Sequence, residues 1–355
     1  CNQVFVSDSI KEIVPRYLLP LRGVIDSPDI PLNVSRSALQ SDRRVKSIGN
    51  FIAKKLADKL KTLKKDETQF YADIWDSISP FIKIGAMEDE KFSEQVKEII
   101  LYSTTKNTSA DNEDNNELIK SGSKTFTTLD AYKNRLTDEN KKVLYSTDEV
   151  SQSTALNMWT SQGKEVLKLD TVIDTQFIPW LEEKNKEINF VRVDSELDES
   201  IKDDSPEIAD KDGNTKSETL KKMISSALNN EKVTVQVQSL KGENSPPSLI
   251  LLPEQMRRIN DITALMEQKL PGLPEYHNLI VNSNHPLIQG LLKLNSNPIV
   301  VEGSSKSEES QLASDIAIHV YEMAKLSIGG LENKDIAAFQ TRNAEVLGKL
   351  MQKFV

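Results

Sequence analysis

The chain has 355 residues, more than one hydrophobic core usually serves, so two or three domains are expected. Charged residues make up 28% of it and the net charge is -9, which favours solubility and weighs against nucleic acid or an anionic membrane as the main partner. Its one cysteine, Cys1, leaves no intrachain disulfide and no cysteine metal site, and no run of about 18 apolar residues exists to span a membrane.

The chain opens on Cys-Asn-Gln-Val-Phe-Val, without a Met or a signal peptide, which reads as a cut through a domain. Residues 3–6 are expected as a strand. Ile10, Ile13, Val14 and Leu18 give 9–19 a helical spacing, and 21–29 read as a short strand closed by a loop. From Ser41 to Leu63, Val45, Ile48, Ile52, Leu56, Leu60 and Leu63 recur every three to four residues, the pattern of a long amphipathic helix. Two more helices are expected over 66–78, with Phe70, Ile74 and Trp75, and over 89–101, with Phe92, Val96, Ile99 and Ile100. Residues 103–124 are polar and low in complexity. They cannot bury enough apolar surface to offset ordering entropy and read as a loop or disordered insert.

From 129 the rhythm changes. Strands are expected at 143–145, 165–169 and 188–193, with helices at 149–161 and 172–183 between them. Such alternation implies a small α/β unit with parallel pairing. Residues 194–218 are polar and acidic, a linker candidate. Beyond them come a helix at 220–228, strands at 233–237 and 249–252, and an amphipathic helix from Pro253 to about Leu270. A strand at 279–282, a helix at 285–294 and two longer helices at about 308–327 and 334–354 complete the chain.

Several patterns suggest chemistry that their surroundings do not support. Arg43, Arg44, Lys46, Lys54, Lys55, Lys59, Lys61, Lys64 and Lys65 form a basic stretch, but Phe51 is the only aromatic near it. A solvated helix face is the better account than nucleic-acid binding. Asp210-Lys211-Asp212-Gly213-Asn214 has its Gly in the fourth position, where a calcium-binding EF-hand loop needs it sixth. His277, His285 and His319 lack metal-ligand spacing, and neither a Gly-x-x-x-x-Gly-Lys-Ser/Thr nor a Gly-x-Gly-x-x-Gly phosphate loop is present.

Two segments are far more specific. Leu21-Arg22-Gly23-Val24-Ile25-Asp26-Ser27-Pro28-Asp29-Ile30-Pro31-Leu32-Asn33-Val34-Ser35-Arg36-Ser37-Ala38-Leu39-Gln40 is one. The other is Leu279-Ile280-Val281-Asn282-Ser283-Asn284-His285-Pro286-Leu287, supported by Leu252-Pro253-Glu254-Gln255-Met256-Arg257-Arg258. In order and spacing these resemble the heat-shock protein 90 chaperones of the bacterial HtpG type, over nearly the whole chain. The resemblance is weakest at 103–125 and 194–218. The family usually has Glu after the loop arginine, where this chain has Ser37.

The resemblance implies an α+β or α/β multidomain protein. It would hold the end of a large middle subdomain (1–64), a helical connector (65–104), a polar insert (105–128) and a small αβα middle subdomain (129–195). A linker (196–217) and an α+β C-terminal dimerisation domain ending in a helical bundle (218–355) would follow. It also implies that ATP and Mg are bound in the intact protein by a domain absent here, so that none is expected in this chain, and that the location is cytoplasmic. Arg36, with Asn33 and Gln40 in the same loop, would reach the γ-phosphate. A guanidinium bonds two phosphate oxygens at once, and such an arginine is worth about 10³-fold or more in phosphoryl transfer. On residue chemistry alone, Arg36 pairing with Asp26 or Asp29 is the alternative.

Met256, Ile259, Ile262, Leu265 and Met266 form a stripe at three- and four-residue steps. Methionine adapts to irregular partners, and the resemblance implies contact with partly folded client proteins; packing inside its own domain is the alternative. The last two helices carry Leu312, Ile316, Val320 and Met323, then Ile336, Phe339, Val346, Leu350 and Phe354. A second copy would complete a four-helix bundle as a two-fold homodimer, or the two helices would close a monomeric domain. The leading rival function is a non-ATPase dimeric helical scaffold that binds one fixed protein partner.

Overall fold

The computed structural model describes residues 3–5, 14–28, 43–107, 118–136, 141–195, 215–241, 245–252, 276–295, 308–328, 330–331 and 333–351. It is mixed α+β, with ten α-helices and nine strands among the described residues. The chain divides into two compact units, Cys1–Val143 with Thr171–Phe190, and Leu144–Asp170 with Val191–Val355.

In the first unit, helix α1 (Arg43–Asp66) is the long amphipathic helix expected. Its most buried line is Gly49, Ala53, Ala57 and Leu60, while Ile48, Ile52 and Leu56 are half-buried beside it. Small residues on that line let α1 lie close to helices α2 (Thr68–Glu88) and α3 (Glu90–Val96). The expected end of α2 at 78 falls ten residues early. Pro80 removes one backbone bond, but Ile82, Lys83, Gly85 and Ala86 beyond it are buried, and that packing carries the helix on. Gly85 is required there, because a Cβ would stand 2.7 Å from the rings of both Tyr17 and Phe92. Tyr17, in a 3-10 turn at Arg16–Leu18, donates its hydroxyl to Asp89 Oδ2 at 3.0 Å. Asp89 Oδ1 caps α3 by accepting from the backbone N–H groups of Lys91 and Phe92.

Three expectations on this unit are corrected. Residues 3–5 and 21–27 form no strand, because Phe5 and Val24 are largely exposed and the alternating pattern faces no core among the described residues. The helix expected over 89–101 stops at Val96. The polar stretch at 103–124 contributes to an antiparallel group of β1 (Tyr102–Thr104), β2 (Ile119–Ser121) and β3 (Lys124–Thr127), ordered β2-β3-β1. Its tight turn between Ser121 and Lys124 is made by Gly122 at φ 57°, a conformation side chains resist. Helix α4 (Leu129–Asn134) follows, N-capped by the Thr128 hydroxyl.

The expected parallel pairing is present between β4 (Lys142–Ser146) and β5 (Leu167–Lys168), in register Tyr145 to Leu167 and Ser146 to Lys168. Between them α5 (Ser153–Ser161) packs Leu156, Met158 and Trp159 inward, and the Trp159 indole donates to the Val193 carbonyl at 2.9 Å. Helix α6 (Asp174–Lys184) belongs to the first unit, and β6 (Asn189–Arg192) lies next to β4.

In the second unit α7 (Lys216–Leu228) starts on a capping box of Thr215 and Glu218. Strands β7 (Val233–Gln238), β8 (Ser248–Leu251) and β9 (His277–Asn282) form a sheet ordered β7-β9-β8, parallel on one side of β9 and antiparallel on the other. Helices α8 (Pro286–Asn295), α9 (Glu308–Ser327) and α10 (Asn333–Met351) complete it. Because β9 is central, its side chains feed two cores. Leu279 and Val281 join Leu220, Ile224, Ile288 and the inner face of α9, whereas Ile280 joins Leu144, Trp159, Val166, Leu249 and Leu251.

Candidate functional site

Of the residues singled out in the sequence, Asn33, Arg36, Gln40, the stripe from Met256 to Met266, and Phe354 lie outside the described residues. The same holds for the side chain of Leu350. The remaining candidates sit on α9 and α10, which pack against each other.

The two helices are seated differently. On α9, Leu312, Ala313, Ile316, Ala317, Val320 and Ala324 recur at helical spacing and are all buried in the core of the unit. Two polar contacts fix the same face: the Ser248 hydroxyl donates to the Val320 carbonyl at 3.0 Å, and His277 Nε2 lies 2.9 Å from the Tyr321 hydroxyl with the two rings nearly parallel. On α10 the described side chains place Val346 alone in that core.

Polar and aromatic contacts otherwise hold α10 to α9. Arg342 is ion-paired with Glu322. Lys349 Nζ stands 2.7 Å from Asp315 Oδ2, and Lys325 Nζ 3.8 Å from Asp335 Oδ2. His319 stacks on Phe339 with ring centroids 5.5 Å apart and planes within 8°. Burial lowers the His319 pKa from its ordinary value; Glu322 opposes the shift and Arg342 adds to it.

The structure thus places Leu312, Ile316, Val320 and Val346 inside the unit, Phe339 half-buried on His319, and Met323 and Ile336 on the surface. It also exposes three apolar residues that the sequence reading did not single out. Leu326 and Leu347 are about half exposed, and Met351 is 64% exposed. A signal for two of them was present, since Ile336, Leu347 and Met351 are eleven and four residues apart and share one stripe of α10. That stripe is offset from the one holding Phe339, Arg342, Val346 and Lys349. An exposed apolar stripe on an otherwise lightly anchored helix suits association with another apolar surface.

Among the described residues no group of three His, Cys, Asp or Glu is placed to hold a metal ion, and no helix is long and apolar enough to cross a membrane.

The family model described as Hsp90 protein matches residues 1–353, and the chain belongs to the Hsp90 family. Within that family it is similar to proteins named chaperone protein HtpG. The one from Porphyromonas gingivalis is 36% identical over 309 residues, which is 82% of this chain and 42% of that protein. The one from Bacteroides thetaiotaomicron is 34% identical over 307 residues, again 82% of this chain and 42% of that protein. The Wolbachia pipientis wMel protein is 27% identical over 361 residues, or 98% of this chain and 52% of that protein. The chain therefore spans about half the length of the curated relatives it matches, or somewhat less.

Proposed function

We propose that the chain is the client-contacting and dimerising portion of an ATP-dependent, HtpG-like molecular chaperone of the cytoplasm. ATP with Mg²⁺ is held by a domain outside these residues. Family membership and the printed names of the relatives support the chaperone reading. Within it, residues 1–64 end a large middle subdomain, 65–104 form a helical connector and 129–195 a small middle subdomain. Residues 218–355 form the dimerisation domain, with 105–128 as an insert and 196–217 as a linker. Arg36, Asn33 and Gln40 form the loop that meets the γ-phosphate, and the stripe from Met256 to Met266 touches partly folded clients.

The observation that carries the dimer is the apolar surface left on the last two helices, with Met323 and Leu326 on α9 and Ile336, Leu347 and Met351 on α10. A second copy presenting the same surface would cover it around a two-fold axis. Sedimentation equilibrium on the chain and on a Leu347→Glu/Met351→Glu variant tests this reading. A dimer that the double substitution turns into a monomer is the expected result. A wild-type chain that stays monomeric at micromolar concentration would remove the dimer. Deleting everything from 308 would be a poor test, because α9 supplies part of the unit's own core and its loss would unfold that unit.

A further inference from the structure

The contacts that seat α10 on α9 are of two kinds. Three are ion pairs, made by Asp315, Glu322 and Asp335. The fourth is the stack of His319 on Phe339, and histidine is the side chain that ordinarily changes charge between pH 5 and 7. Burial disfavours the charged form of His319. Its Nδ1 is buried without a hydrogen-bond partner among the described residues, and so is Glu322 Oε2 on the same face of α9. The other oxygen of Glu322 is taken by Arg342 of α10. The charges acting on the ring are Glu322 from its own helix and Arg342 from the helix packed against it.

We propose that His319 makes the seat of α10 acid-sensitive: protonation puts a cation on a ring whose Nδ1 is buried without a partner, beside Arg342 and against the opposing pull of Glu322, and loosens α10 from α9. The sign follows from the direction of the shift. A histidine whose folded pKa lies below its unfolded value contributes nothing unfavourable at neutral pH. It then subtracts from the folded contact as pH falls through the unfolded value, about 6.5, and the loss saturates below the folded pKa. The two His319 variants decide whether the loosening comes from the ring. Its consequence for self-association rests on the dimer reading above; the loosening of α10 does not.

The test is hydrogen–deuterium exchange of the α10 amides in the full chain at pH 7.5 and 5.5, after division by the intrinsic exchange rate. It compares wild type with His319→Gln and His319→Phe. The second variant retains an aromatic partner for Phe339, so a fold defect in the first would be recognised. Wild-type α10 is expected to lose several-fold protection at the lower pH, approaching about tenfold for each unit by which the pKa is depressed. Both variants should lose less protection than wild type. His277 and His285 are common to all three proteins and cancel in the comparison. Equal pH responses in wild type and both variants, or a His319 pKa of 6.5 or above by NMR titration, would overturn the proposal. Sedimentation at the same two pH values separates the two readings: a chain monomeric at both would remove the dimer and leave the exchange result to stand.

Discussion

Helices α9 and α10 have 20 and 19 residues, and both show an apolar stripe at helical spacing, yet the structure uses them in opposite ways. The stripe of α9 is filled by its own unit, from Leu312 through Ala324. On α10 the described side chains put only Val346 into that core, and Ile336, Leu347 and Met351 meet solvent. Amphipathic periodicity reports that a face needs covering but not by what. The ion pairs teach the same lesson. Lys83 and Asp174 are 6% and 1% exposed, 2.5 Å apart, and Asp174 also accepts from the Thr171 hydroxyl and backbone N–H. Lys349, paired with Asp315 on the α9–α10 seat, is 42% exposed. Equal chemistry at unequal burial should give unequal energies.

The largest effect is expected at the buried pair. Lys83→Met leaves the Asp174 carboxylate buried without its cation, and such an uncompensated charge costs about 3–5 kcal/mol. A Lys83→Met/Asp174→Leu double variant should recover most of that, because two apolar groups of similar volume need no solvation. Urea denaturation followed by fluorescence of Trp75 and Trp180, both in the first unit, measures each step. If the single and double variants are equally unstable, the pair is not an isolated electrostatic unit. The next effect falls on α9. Leu312→Ala removes a fully packed side chain and should cost about 2–5 kcal/mol in the second unit.

Much of the fold was legible in the sequence, and the part that was not has identifiable causes. The long helix at 43–66, the parallel β4–β5 pair and the strand–helix order of the second unit follow from period and turn chemistry, and the family follows from the Leu21–Gln40 and Leu279–Leu287 segments. The antiparallel group of β1, β2 and β3 was hidden because its strands are three or four residues long and half polar. They are held by contacts that composition does not encode, such as the Ser121 hydroxyl on Asp73 and Lys124 on Asp76. The burial of α9 against the exposure of α10 was hidden for a different reason. Both stripes are apolar, and only the position of β8, β9 and α7 decides which one is covered.

Smaller effects belong to α10. Lys349→Ala breaks a contact open to water and should change the unfolding free energy by about 0.2–1 kcal/mol. Smaller still is the expected effect of Leu347→Glu/Met351→Glu on the unfolding of an isolated chain, within about 0.5 kcal/mol for each site, because these side chains already face solvent there. Self-association stabilises a folded chain by mass action, so the comparison must be made at two concentrations. Well below the dimer dissociation constant, wild type and double variant should unfold at nearly the same urea concentration. Well above it, the wild-type midpoint should rise with concentration and the variant's should not. A variant that is equally destabilised at both concentrations would place Leu347 and Met351 in the internal packing of the unit, and the difference between α9 and α10 would then be one of degree.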